Sequence, residues 1–168
     1  MEATKKPIQR HNSLKSISRE HHEGLLLCWK IRTGFRNTIA IKRIKNYCDW
    51  FFEHQLSPHF KIEEKYLFPI LGRENELVKK ALSEHRRLKR LFENTTDLEK
   101  SLNHIEEELE AHIRFEKRIL FNEIQNSATK EELKNAEQQH LELNLNQEKL
   151  KDWGDVFWEH SKTSATTF

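Results

Sequence analysis

Ser57-Pro58-His59-Phe60-Lys61-Ile62-Glu63-Glu64-Lys65-Tyr66-Leu67 is the stretch on which the reading of this chain turns. Residues three, four and seven apart share one face of a helix. Around this stretch that face reads Phe52, Leu56, His59, Glu63, Tyr66, Ile70. His59 and Glu63 stand where a core-facing stripe calls for apolar residues. The same substitution recurs downstream in the series Leu102, Ile105, Leu109, His112, Glu116, Ile119. Two further stripes carry one histidine each: Leu14, Ile17, His21, Leu25, Cys28, Ile31, and Val78, Leu82, His85, Leu88, Phe92.

Four helices follow from these stripes. The first is expected over Ser13–Arg32, with Gly34 as its C-terminal cap. The second starts near Asn37 or Thr38 and runs towards Leu67. Pro58 should kink it, or break it so that Ser57 caps a new segment. Pro69 and Gly72 close it. The third covers Glu74 to Glu93, and Asn94-Thr95-Thr96 connects it to a fourth over Asp97–Gln125. Asn126 to Thr129 interrupts the pattern, and Thr129 with Glu132 fits a capping box for a shorter fifth helix ending near Lys151. Trp153, Phe157 and Trp158 then read as a tail docked on the bundle. Residues 1–12 read as a flexible arm and 13–168 as one helical domain.

Composition agrees with helices. The 168 residues include only 4 Gly and 3 Pro, and 33% are charged. Lys+Arg 29 against Asp+Glu 27 gives a net charge of +2 with the signs interspersed, which leaves no footprint for nucleic acid or membrane. Arg86, Arg87, Lys89 and Arg90 read as a solvated helix face. Cys28 and Cys48 lack metal or redox spacing and point to buried thiols in a cytoplasmic protein. The polar, basic start of the chain reads against a secretory signal.

Burying two unpaired carboxylates in one small core costs several kcal/mol each, or forces a change of protonation. The stripes offer no Lys or Arg to compensate. A metal ion would, since imidazole and carboxylate suit iron, manganese, zinc or copper. The competing interpretation is four core histidines with two ion-paired glutamates. His104 and Glu108 share the spacing but fall one residue off the stripe, so they should face solvent. Glu137 and His140 form a single Glu-x-x-His, whereas a ferritin-like di-iron site needs two. His11, His54 and His160 have no partner pattern, and His22 competes with His21 as the inward histidine of the first helix. Tyr66 reads as a packed core tyrosine, with a hydrogen-bond donor or a ligand to the site as the alternatives.

Four segments carry a family resemblance: Ser18-Arg19-Glu20-His21-His22, the motif from His59 to Pro69, Glu84-His85-Arg86, and His112-Ile113-Arg114-Phe115-Glu116-Lys117. Over most of residues 12–125 the chain resembles the hemerythrin-like, HHE cation-binding family. The tail around Trp153 and Trp158 resembles that of some bacterial members. The resemblance implies an up-and-down four-helix bundle around a non-haem centre of two iron ions. Glu63 and Glu116 would bridge the ions, and His21, His59, His85 and His112 would be terminal ligands, with other divalent metals as alternatives. Oxygen-carrying members place a second histidine four residues on in the third helix, where this chain has Lys89. That departure implies open positions and chemistry with O2, NO or peroxide, served by a redox partner, rather than reversible oxygen carriage. Whether such a protein turns over substrate or is a metal-stabilised sensor without turnover is left open, and no catalytic residue is assigned.

Overall fold

The computed structural model describes residues 9–147 and 153–159. The described residues are helical, with no strand. They form an up-and-down four-helix bundle with an additional C-terminal helix and tail. The first rod is α1 (Lys15–Arg36), entered through a short 3-10 turn, Asn12–Leu14. The second is continuous from residue 41 to 70: α2 (Ile41–Phe51), a π turn (Phe52–Leu56), α3 (Ser57–Ile62), a second π turn (Glu63–Leu67) and a 3-10 turn (Phe68–Ile70). The third is α4 (Glu76–Glu93). The fourth joins α5 (Leu98–Phe115), a π turn (Glu116–Leu120) and α6 (Phe121–Ser127). The added helix is α7 (Lys130–Gln147), and 148–151 of the expected fifth helix lie outside the described residues.

Several helix ends follow the side-chain signals. Asn75 caps α4, its side chain accepting from the Leu77 and Val78 amides at 2.9 and 3.3 Å. Thr129 and Glu132 close a reciprocal capping box, with bonds of 2.9 and 3.1 Å. Asp97 caps α5 through Lys100 N at 3.4 Å.

Several expectations change. Gly34 is not a cap but lies inside α1, where a Cβ would sit 2.7 Å from Ile44 Cδ1 and 3.1 Å from Phe157. The missing side chain lets α1 approach α2 and the tail. The second helix starts later, at Ile41, and Pro58 does not break it. The π turn before the proline carries an i→i+5 bond, from the Ser57 amide to the Phe52 carbonyl, and the rod continues. Finally, Ile119 is 49% exposed while Leu120 is fully buried. The π turn starting at Glu116 inserts extra rotation, so the core face passes from Ile119 to Leu120, Phe121 and Ile124. The turn starting at Glu63 acts alike: Leu67 is buried and Tyr66 only half-buried.

Two apolar clusters fill the bundle. One gathers Leu27, Ile31, Tyr47, Phe51, Leu88, Leu102, Leu109 and Phe157, with Trp153 and Trp158 packed against it. Lys30 Nζ sits 3.9 Å from the Trp158 ring centroid and donates to Tyr47 Oη at 2.7 Å, which fixes the tail in place. The other gathers Leu14, Ile17, Leu67, Phe68, Val78, Leu120, Phe121, Leu133 and Ala136. Gln9, Arg10 and His11 lie along the fourth rod, the first and last bonded to Gln125 and Arg10 Nη2 to the Lys117 carbonyl. Residues 1–8, Asp152 and His160 fall outside the described residues. Among the described residues no helix is long and apolar enough to cross a membrane.

Candidate metal centre

Between the two apolar clusters, each rod sends one imidazole inward. His21 comes from α1, His59 from α3, His85 from α4 and His112 from α5, and none is more than 4% exposed. Glu63 and Glu116 join them at 0% and 1%. Each glutamate stands one turn after a histidine and opens a π turn, its own carbonyl accepting the amide five residues on. The His-x-x-x-Glu spacing therefore keeps both side chains on the inner face before the rod changes phase.

The ligand atoms converge in two groups, each within 4.8 Å: Glu63, His85, His112 and Glu116, and His21, His59 and Glu63. Glu63 belongs to both. Its Oε1 is 3.3 Å from His59 Nε2 and 3.4 Å from His85 Nε2, and its Oε2 is 3.7 Å from His21 Nε2. Glu116 also spans the layer, with Oε1 against His112 Nε2 and 3.4 Å from His85 Nε2, and Oε2 3.8 Å from His21 Nε2. The Nε2 atoms of His85 and His112 are only 3.2 Å apart. Phe60 stacks on His85 at 3.7 Å between centroids and holds that ring in place.

Charge is concentrated here. Burial pulls His59 down, but the Glu63 and Glu20 carboxylates outweigh it and hold the ring well above the ordinary imidazole value. Burial likewise opposes protonation of His85, yet Glu116, Glu63 and Glu64 raise it well above that value. His112 stands at about 8, burial being outweighed by Glu116 and Glu84. Burial pushes Glu63 up, and the facing His59 together with Glu116 and His21 more than reverses this, leaving it well below the usual carboxylate range.

The donor set fits a metal cation. Both oxygens of Glu63, Glu116 Oε2, and both ring nitrogens of His21 and His59 are buried without a hydrogen-bond partner in the protein. Buried polar atoms left unpaired cost about 1–3 kcal/mol each, more when charged. Here they point at one another across a layer sized for coordination, and they are nitrogen and oxygen donors. Cys28 and Cys48 lie instead in the first apolar cluster. A family model, that of the hemerythrin HHE cation binding domain, matches residues 12–103, more than half of the chain.

The chain belongs to the hemerythrin HHE family. No curated protein and no solved structure matches it. Membership indicates cation binding, and the buried cluster fits a metal site. The matched span of this hemerythrin-type chain includes His21, His59, Glu63 and His85 and stops before His112 and Glu116. The fold brings those two into the same layer.

The layer has an outer ring that the stripes did not reveal. Glu84 Oε1 is 3.0 Å from His112 Nδ1, Glu20 Oε2 is 3.6 Å from His59 Nδ1, and Glu64 Oε2 is 3.8 Å from His85 Nδ1. Burial opposes ionisation of Glu84, but His112 and Lys80 lower it below its ordinary value. His21 is buried whereas His22 is exposed. His104 and Glu108 pair at 3.4 Å near the surface, and Lys89 points to solvent beside Glu93. Tyr66 donates to Gln139 Oε1 of α7 at 3.3 Å and turns away from the layer.

Proposed function

We propose that this hemerythrin-type chain holds two iron ions bridged by Glu63 and Glu116, with His21 and His59 serving one ion and His85 and His112 the other. The observation that carries this reading is the position of Glu63, fully buried, without a hydrogen-bond partner and shared between both groups of ligand atoms. Two carboxylates against four imidazoles suit iron, and the family resemblance favours it over other divalent metals.

Bound iron would supply a redox-active centre able to exchange electrons with O2, NO or peroxide. The protein's own part is selection and exclusion. Leu88 and Leu109, both buried, seal the layer on one side, and Leu67, Leu120 and Phe121 on the other. A narrow cleft lined by Glu20, Phe51, Gln55, Leu56 and His59 has a volume of about 10 Å³, close to that of one water molecule. Glu84 accepts from His112 Nδ1–H, and the Glu64 and Glu20 carboxylates face the Nδ1 atoms of His85 and His59, which favours Nε2 of each ring as the donor facing the centre.

Anaerobic reconstitution with ferrous iron, followed by metal analysis and an absorption spectrum in air, tests the proposal. Two irons per chain with oxo-bridged ferric absorption, lost in His59→Ala and Glu116→Ala, is the expected result. One metal or none, with both variants behaving as wild type, would overturn it. Repeated consumption of NO or peroxide by the reduced protein distinguishes a catalyst from a sensor.

A further inference from the structure

The helix outside the four-helix bundle carries one more buried histidine. Over residues 130–144 of α7 the buried positions are Leu133, Ala136 and His140, so His140 occupies the inward stripe as the four central histidines do. It is 1% exposed. Its Nε2 lies against Glu20 Oε1, and its Nδ1 is 3.3 Å from Ser16 Oγ. The other oxygen of the same carboxylate faces His59 Nδ1 at 3.6 Å, and His59 Nε2 faces Glu63 at 3.3 Å. One carboxylate thus stands between two histidines and meets each with a different oxygen. The contacts of α7 fall on the same side of the molecule: it packs on the Asn12–Leu14 turn, α1, α3 and the Glu63–Leu67 turn.

We propose that His140 is a positioning residue for the metal site: it pins Glu20, and Glu20 in turn fixes the ring and tautomer of His59. The inference rests on the metal reading of the layer. Glu20 is only half-buried, and a carboxylate with one buried contact would be free to turn towards solvent. His140 removes that freedom by giving the second oxygen a donor. Burial lowers the His140 value, so the ring is neutral and has one N–H to give. The Ser16 hydroxyl satisfies Nδ1 and leaves that proton on Nε2, aimed at Glu20. Glu20 then accepts from His140 and keeps its other oxygen facing His59 Nδ1, which favours the His59 tautomer whose Nε2 lone pair is directed at the centre. Partners of this kind change metal affinity by roughly 10–100-fold, and a partner one bond further out belongs at the lower end of that range.

The test is anaerobic competition for ferrous iron against a chromophoric chelator, run on wild type, His140→Leu, His140→Gln and Leu133→Ala. Nitrogen NMR of the metal-free proteins, recorded at a pH high enough for His59 to be neutral, reports its tautomer alongside. His140→Leu should weaken iron binding about tenfold at one of two positions and leave the other unchanged. The same variant should convert His59 from one tautomer to a mixture. His140→Gln, whose amide still donates to Glu20, should restore most of the affinity. Leu133→Ala loosens the docking of α7 without touching Glu20, so it should lower Tm and leave iron affinity intact. Wild-type affinity at both positions in His140→Leu would overturn the proposal. So would an equal loss in Leu133→Ala, which would reduce His140 to a docking contact. If wild type itself takes up no iron, the metal reading fails first, and an unchanged His59 tautomer in His140→Leu would reject the positioning role separately.

Discussion

His112 is held on both sides, by Glu116 at Nε2 and by Glu84 at Nδ1, and the two contacts should be separable by mutation. Glu84→Ala leaves the inner carboxylates in place but frees the ring. It should weaken iron at the His85–His112 position tenfold or more with helicity unchanged, as read by chelator competition. No loss would mean that Glu84 is a surface residue that merely lies nearby. The inner six side chains were legible in the sequence because a His or Glu inside an apolar stripe has no cheap explanation. Glu20, Glu64 and Glu84 were not legible. Each is next in sequence to an inner residue and so lies off the stripe, and each serves a histidine on another rod. His140 was hidden because its stripe was discounted once a second Glu-x-x-His was missing. Cysteine is the contrasting case. Cys28 and Cys48 are fully buried, and burial raises the Cys28 thiol to about 12 and Cys48 further. Only thiolate reacts with disulfide reagents. The native protein should therefore show no titratable thiol near neutral pH and two once denatured. Rapid labelling of the folded chain would contradict that burial.

At the scale of the element, the π turns decide which residues face the core. An α-period carried through Glu116 assigns Ile119 to the core, and the turn at Glu116–Leu120 assigns Leu120 instead. The prediction is sharp because the two residues are adjacent and chemically alike. Leu120→Ala removes a fully buried side chain and should cost about 2–5 kcal/mol in denaturant unfolding. Ile119→Ala alters an exposed one and should stay within about 0.5 kcal/mol. Equal costs would mean that the fourth rod keeps the α-phase. Stripes and caps gave the number and order of the helices, since those signals are local. The π turns escaped because i→i+5 bonding has no residue signature of its own, and here it accompanies the buried carboxylates. Gly34 escaped for a related reason: a glycine near a helix end looks like a cap until Ile44 and Phe157 are seen to need its space.

At the scale of the whole molecule, a charged layer divides one apolar cluster from the other, so its protonation should be felt globally. In the metal-free protein His59 and His85 lie well above the ordinary imidazole value and His112 stands at about 8. Groups raised in the folded state add stability that is complete below the unfolded value of about 6.5 and is lost as pH rises through the folded values. Glu63 works in the opposite direction. It is held well below its unfolded value, so its contribution is complete above about 4.5 and lost on acidification. The metal-free protein should therefore be most stable between roughly 4.5 and 6.5 and should weaken as pH passes 8. Metal ligation reverses the histidine trend, because each ring must give up its proton to bind and affinity then rises with pH. Metal binding to the folded state alone also raises Tm by mass action. The gap in Tm between metal-loaded and metal-free protein should accordingly widen from pH 6 to pH 8.5, measured by calorimetry at fixed metal concentration. A gap that stays constant or narrows over that range would mean that His59, His85 and His112 keep their protons when metal is present, and coordination by this layer would have to be abandoned.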